Sequence, residues 1–424
     1  MLATTISTAV LAQPQPDLAL AISGLAEFGA VCKDAGERLW GMSLCGRLLL
    51  VDPSSRTALA NLPDPDGKFE SRAGLYLGKL PSNIVIANTS VHWGGKEWAM
   101  VLLPLPTDPF QRLRLLAHES FHRLQPQLKL RASDAISGHL ESESGRVWLR
   151  MELRALAEAL RMEGPAGKRA AEDAMLFRAA RQSLNPGSER LESALEIQEG
   201  LAEYTGTVVA LSNSGEAVRR VARAVENFED ERALGRSFAY GTGPALGMLA
   251  DRFAGAWRKT VKSDTNLAAI LGKALGFRAD TGVVERAQGR AQRYGFRLVS
   301  QDEHARAAIT LARTASYSAR FLEGPVLEFP PTVDLQRSFN PNNLFPLGES
   351  GTVYPTGTFT GRWGKLQVDD VGALLAPDNQ SLRVSAPMNV HARPLTGSGW
   401  QLDLASGWTI RASTKPGSFE LAPE

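Results

Sequence analysis

The stretch Leu115-Leu116-Ala117-His118-Glu119-Ser120-Phe121-His122-Arg123-Leu124 constrains this chain more than any other, because it sets two imidazoles and a carboxylate within a run that reads as helix. Residues four apart in a helix of about 3.6 residues per turn lie about 40° apart around its axis, so His118 and His122 can reach one ion. Glu119, roughly 100° round from His118, flanks that ion. A carboxylate in that position can take a proton from a metal-bound water, which is the general-base role the pattern implies. The chemistry needs the helix, and the neighbouring residues supply its ends. Asp108 suits the N-cap, Pro109 the first helical position, and Gln111 stands where a capping-box partner belongs. Pro126 closes the segment. Leu113, Leu116, Ala117, Phe121 and Leu124 recur at helical spacing, predicting a buried face that holds the His pair on a core element. The alternative is a helix with two ordinary histidines.

A chain of 424 residues with 43% hydrophobic content is long enough for two or three packed domains. Its formal charge of +2 is spread along the sequence without a basic stripe, which argues against nucleic acid as a partner. No apolar run approaches the ~20 residues needed to span a bilayer, so no transmembrane segment is expected. Residues 1–15 contain a short apolar stretch ending in Val10-Leu11-Ala12, similar to the end of a secretory signal, but lack the charged start. They read as a signal or a flexible N-terminus, giving an exported (periplasmic or secreted) or a cytoplasmic protein. Cys32 and Cys45 form one disulfide in an oxidising compartment or stay as two buried thiols.

Along the chain the predicted class is α+β. Residues 16–106 read as an N-terminal helix over 16–40 and a small sheet, with runs at Leu44–Val51, Gly74–Leu80, Asn83–Ala87 and Trp98–Leu103. Residues 107–323 begin with the His-pair helix and continue as a large α-helical region. Its helices are predicted over 140–161, 167–183, 188–211, 216–228, 243–260, 267–275 and 301–321. Residues 324–424 read as a small all-β module, with strands near 366–368, 381–385, 400–404, 408–412 and 419–421. Nothing in that module suggests chemistry.

A catalytic zinc site has three protein ligands and an open position, so two histidines leave one ligand to find. The Gly and His that a metzincin would place after His122 are replaced by Gln125 and Leu128, which excludes that class. Downstream, Glu196-Ile197-Gln198-Glu199-Gly200-Leu201-Ala202-Glu203-Tyr204 puts Glu199 and Glu203 on one helix face. The pair is either a solvated surface or a functional one, in which Glu199 binds the metal and Glu203 accepts the other ring N–H of His118.

His118-Glu119-x-x-His122 followed by Glu199-Gly-Leu-Ala-Glu203-Tyr resembles the gluzincin group of zinc metallopeptidases, over roughly residues 98–251. The resemblance implies a zincin-like catalytic domain, Zn2+ held by His118, His122 and Glu199, and support of His118 by Glu203. An Asn often precedes the ligand Glu in that group, whereas Gln198 stands here. Several members place a Tyr followed closely by Gly near the oxyanion. Phe238-Ala239-Tyr240-Gly241-Thr242-Gly243 offers Tyr240 for that role, expected on a loop before a helix, with His139 as the competitor. In zincins an edge strand before the active-site helix commonly holds an extended substrate, a role that falls here to 98–103. The aminopeptidase signature Gly-x-Met-Glu-Asn is absent; Gly94-Gly95-Lys96-Glu97-Trp98 stands in that region. The expected function is zinc-dependent hydrolysis of peptide or protein substrates, with Glu119 and Tyr240 as catalytic residues. The alternatives are a zinc-binding scaffold or interaction protein, or attack of the same water on a non-peptide substrate. Asp251 and His139 stand as substitute ligands should Glu199 not serve.

Overall fold

A computed structural model describes residues 18–424 apart from Ala132, Asp134, Ser212, Asn213, Ser214, Thr332, Val333, Pro341 and Asn342. The candidate signal, residues 1–15, lies outside the described residues. The protein is mixed α+β and divides into two compact units, Met1–Glu303 and His304–Glu424. Among the described residues no helix is long and apolar enough to cross a membrane.

The first unit opens with helix α1 (Leu18–Trp40) and a sheet of six strands: β1 (Leu48–Val51), β2 (Thr57–Ala60), β3 (Glu70–Arg72), β4 (Leu75–Lys79), β5 (Thr89–Trp93) and β6 (Lys96–Leu102). Their order is β3-β4-β2-β1-β6-β5, with β1 and β6 parallel and the other pairs antiparallel. Because side chains alternate across a strand, Leu48, Leu50, Ala99 and Val101 face the large core that includes Phe28 and Phe121. Leu49, Val51, Trp98 and Met100 face a smaller cluster with Phe69 and Trp93. The run Leu48-Leu49-Leu50-Val51 is buried throughout for this reason.

Three expectations for this sheet are corrected. The stretch 98–103 falls mostly in β6, which lies inside the sheet between β1 and β5, so the edge strand is β5. Residues 83–87 form no strand; within them the Ile84 carbonyl accepts from the Arg56 guanidinium at 2.7 Å rather than from a neighbouring strand. Strands β2, β3 and β5 were not expected. Thr57-Ala58-Leu59-Ala60 has weak strand propensity and owes its conformation to pairing with β1 and β4.

Helix α2 (Pro109–Leu124) follows β6 directly, with Asp108 as N-cap accepting from the Gln111 N–H at 2.9 Å. Only half of the capping box forms, since the Gln111 side chain accepts from Arg114 Nε instead. Next come α3 (Glu143–Arg161), α4 (Gly164–Leu184) and α5 (Ser188–Leu195), which runs through a π turn (Glu196–Gly200) into α6 (Leu201–Ala210). These are followed by α7 (Gly215–Asn227), α8 (Leu234–Phe253), α9 (Leu267–Leu275), α10 (Val283–Ala291) and α11 (Phe296–Ser318). The single helix expected over 188–211 is thus interrupted by a π turn, and α10 was not expected.

Helix α6 lies against α2, and Gly206 permits the approach: a Cβ there would sit 2.5 Å from the Arg114 carbonyl oxygen. A Cys32–Cys45 disulfide closes the loop carrying Trp40. The Trp40 ring packs on Phe121 at 5.0 Å and donates to Thr205 Oγ1 at 3.0 Å, bridging α2 and α6.

Between the helices lies a buried ionic network. Arg181 donates to Glu152 and Glu192, Arg178 to Glu152 and Glu196, and the His139 ring bonds Glu192. Burial opposes the charge on Glu192, but Arg181, His139 and Arg178 outweigh it and hold the carboxyl well below its ordinary range. The folded state therefore binds fewer protons here than the unfolded chain. The stability so gained is complete above the ordinary glutamate value of 4.5 and is lost as pH falls beneath it toward the folded value. Urea unfolding across pH 3 to 7 is expected to show this loss for the wild type and a shallower acid slope for Glu192→Gln. Equal slopes would contradict it.

The second unit, taken alone, carries a seven-stranded and a five-stranded sheet. Leu327, Phe329 and Val384 of one and Phe359, Leu366 and Leu402 of the other share one core, which makes it a sandwich. The expected strands appear at Gly364–Val368, Leu382–Ser385, Trp400–Leu404, Trp408–Ala412 and Phe419–Pro423.

Candidate metal centre

Leu116, Ala117, Phe121 and Leu124 anchor one face of α2 in the large core, while Leu113 is only partly buried. This fixes the helix so that His118 and His122 turn their Nε2 atoms toward each other, 3.0 Å apart. Each ring is held from behind by its other nitrogen. His118 Nδ1 lies 2.9 Å from Glu203 Oε2, and His122 Nδ1 lies 2.8 Å from Gln125 Oε1. Both partners are acceptors, so both Nδ1 atoms carry the proton and both Nε2 lone pairs are left for a ligand. Gln125 also donates to the carbonyls of Ile197 (3.1 Å) and Gln198 (2.8 Å), tying the end of α2 to the π turn.

The π turn delivers Glu199. Its Oε2 lies 3.5 Å from His118 Nε2 and 3.4 Å from His122 Nε2. A tetrahedron with metal bonds of ~2.0–2.1 Å has an edge of about 3.3 Å, close to all three separations. The residues also fit such an ion in charge. Glu119, Glu199 and Glu203 against the single guanidinium of Arg114, which bonds Glu203, leave two negative charges uncompensated. Burial works against a proton on His118, yet its bonds to Glu199 and Glu203, with Glu119 nearby, raise its pKa to about 10. A divalent cation satisfies the same carboxylates and displaces that proton.

Glu119 is only 4% exposed, and its Oε2 is buried without a hydrogen-bond partner. Burial raises its pKa against the pull of the two imidazoles. A buried carboxylate oxygen with nothing to accept from is costly unless a further group occupies the space beside it. Glu119 is among the residues lining a cavity of about 240 Å³, with Asn88, Thr89, Gln198 and Tyr240. Thr89 is the first residue of the edge strand β5.

Tyr240 lies inside α8, which corrects the expectation of a loop. Four glycines and Pro244 between 235 and 247 read as a helix breaker in isolation. Here they serve close packing: a Cβ at Gly243 would lie 2.3 Å from Gly200 Cα, so α8 and the π turn touch backbone to backbone. Tyr240 stacks on His118 with ring centroids 5.6 Å apart and donates its hydroxyl to Glu199 Oε2 at 2.6 Å. Burial and the charge of Glu199 push its pKa above the ordinary value, so it stays a donor.

The site therefore brings together His118, Glu119, His122, Glu199, Glu203 and Tyr240. It does not include His139, bonded to Glu192 at 2.7 Å, or Asp251, which accepts from Tyr204 and Trp257. Gln125 and Arg114 were missed as supporting residues. Gln125 stands three after His122, where a helix allows side chains to meet, and that spacing was its only signal. In comparisons with known protein families, curated proteins and solved structures, nothing matches the chain.

Proposed function

We propose that this chain is a zinc-dependent peptide hydrolase of gluzincin type, built on a zincin-like catalytic unit. One observation carries the reading: three donors from two helices stand 3.0–3.5 Å apart beside a buried carboxylate oxygen that has no partner. His118, His122 and Glu199 would hold the ion. Zinc, when bound, polarises the scissile carbonyl and makes water acidic enough to be deprotonated near neutral pH. Glu119 takes the proton from the attacking water and passes it to the leaving amine. Glu203 keeps His118 in the tautomer that ligates. The Tyr240 hydroxyl, which donates to Glu199 Oε2, would turn from that bond to donate to the carbonyl oxygen as it gains charge.

An extended peptide would pair with the open side of β5, the edge strand whose start lines the cavity. A neighbouring cavity of about 380 Å³ shares Arg114, Glu203 and Tyr240 with the site and has both apolar residues (Phe110, Phe228) and charged ones (Arg220, Glu231) in its wall, room for a substrate side chain. The Cys32–Cys45 disulfide supports an oxidising compartment, and with the short apolar stretch ending in Val10-Leu11-Ala12 it favours export.

Cleavage of a peptide library tests the reading. Activity is expected with zinc, lost on complete chelation, and restored by zinc alone. Cleavage that survives full metal removal would contradict it, and bound zinc without any cleavage would favour the scaffold alternative.

A further inference from the structure

Glu199 does not project from a regular helix but from a π turn, in which the Leu201 N–H reaches back to the Glu196 carbonyl. π turns are rare and frequent at functional sites. The first residue of this one, Glu196, has a fully buried side chain. Arg178 forks onto its two oxygens at 2.9 and 2.6 Å and is itself fixed by Glu152 at 2.7 Å. The third donor is the hydroxyl of Thr242, 2.7 Å from Glu196 Oε1. Thr242 is two residues beyond Tyr240 on α8, and Glu196 is three residues before Glu199 on the turn. Next to this bond Gly243 meets Gly200 backbone to backbone.

The element bearing Tyr240 and the element bearing Glu199 are thus tied twice, once at the site through the Tyr240–Glu199 bond and once beneath it. We infer that Glu196, Arg178 and Thr242 form a positioning clamp that sets Glu199 against Tyr240 and the imidazoles, so that metal affinity depends on three residues that never touch the metal. The inference rests on the zinc reading above. A cluster serving stability alone has no need to join those two elements at positions flanking the two site residues. Among the described residues Thr242 is the α8 side chain that bonds Glu196 of the ionic network, two residues past Tyr240.

Zinc affinity of the metal-free full chain, measured by competition with a chromophoric chelator, and the visible spectrum of the cobalt-substituted protein test the clamp. Thr242→Val is expected to weaken zinc binding about 10-fold, the lower end of the ~10–100-fold cost of disturbing groups behind a ligand. It should also shift the cobalt bands. Thr242→Ser, which keeps the hydroxyl, should restore both, and Glu196→Gln should repeat the loss. Either Thr242→Val or Glu196→Gln decides the matter, so one that fails to fold leaves the other. Folded variants with wild-type zinc affinity and an unchanged cobalt spectrum overturn the clamp alone. A wild-type chain that binds no zinc overturns the zinc reading and the clamp with it.

Discussion

Glu119→Gln is expected to lower peptide cleavage about 10²–10⁴-fold while leaving zinc bound, the range of positioned general-base catalysis. That factor corresponds to about 3–5 kcal/mol of lost transition-state stabilisation. The amide keeps the size and shape of the side chain but cannot accept the proton. Zinc content should not change, because Glu119 is not among the converging donors: its Oε1 lies 4.0 Å from His118 Nε2 and its Oε2 contacts no polar group. The same substitution is expected to leave thermal stability equal or higher, since it removes a buried charge whose ionised form burial already disfavours. Steady-state kinetics on a cleavable peptide, with metal content measured on the same samples, checks both halves. Undiminished cleavage with zinc present would remove Glu119 from the chemistry.

Glu199→Ala carries the second large effect. It removes one of three donors and the acceptor of the Tyr240 hydroxyl together. Zinc affinity should fall by more than the ~10–100-fold that losing an outer partner costs. Glu203→Gln supplies that smaller step, since it weakens the acceptor behind His118 and leaves the ligating Nε2 in place. The ordering matters more than either value. Competition titrations are expected to rank wild type above Glu203→Gln and Glu203→Gln above Glu199→Ala. A reversed order would show that Glu199 does not ligate. The two substitutes weighed from the sequence are held elsewhere: Asp251 accepts from Tyr204 and Trp257, and His139 bonds Glu192.

What could be read from the sequence was what depends on local spacing. The caps and apolar stripe of α2 placed His118, Glu119 and His122 on one helix, and four-residue spacing paired Glu199 with Glu203. Five strands of the last hundred residues followed from short runs between turn residues, whereas others there, such as Val326–Phe329 and Gly357–Gly361, were not expected. What depends on tertiary contact was not legible. The sheet order that makes β5 the edge in place of β6 is a long-range pairing with no local signature. Helix α8 crosses a Gly- and Pro-rich stretch because Gly243 must meet Gly200, and a breaker motif in sequence is here a packing motif. The π turn leaves no mark on a helical pattern, since Glu196 looks like any other glutamate until Arg178 and Thr242 are seen around it. Arg114 was hidden for the same reason, since it acts through Glu203, and so was the tie from Gln125 to the Ile197 carbonyl.

The most direct test is an anomalous difference map, collected at the zinc edge, from crystals of the wild-type chain grown with zinc. One peak is expected between His118 Nε2, His122 Nε2 and the Glu199 carboxylate, with no protein atom at the fourth position. The absence of a peak there, or a peak bound by other residues, would contradict the convergence of α2 and the π turn on a single cation.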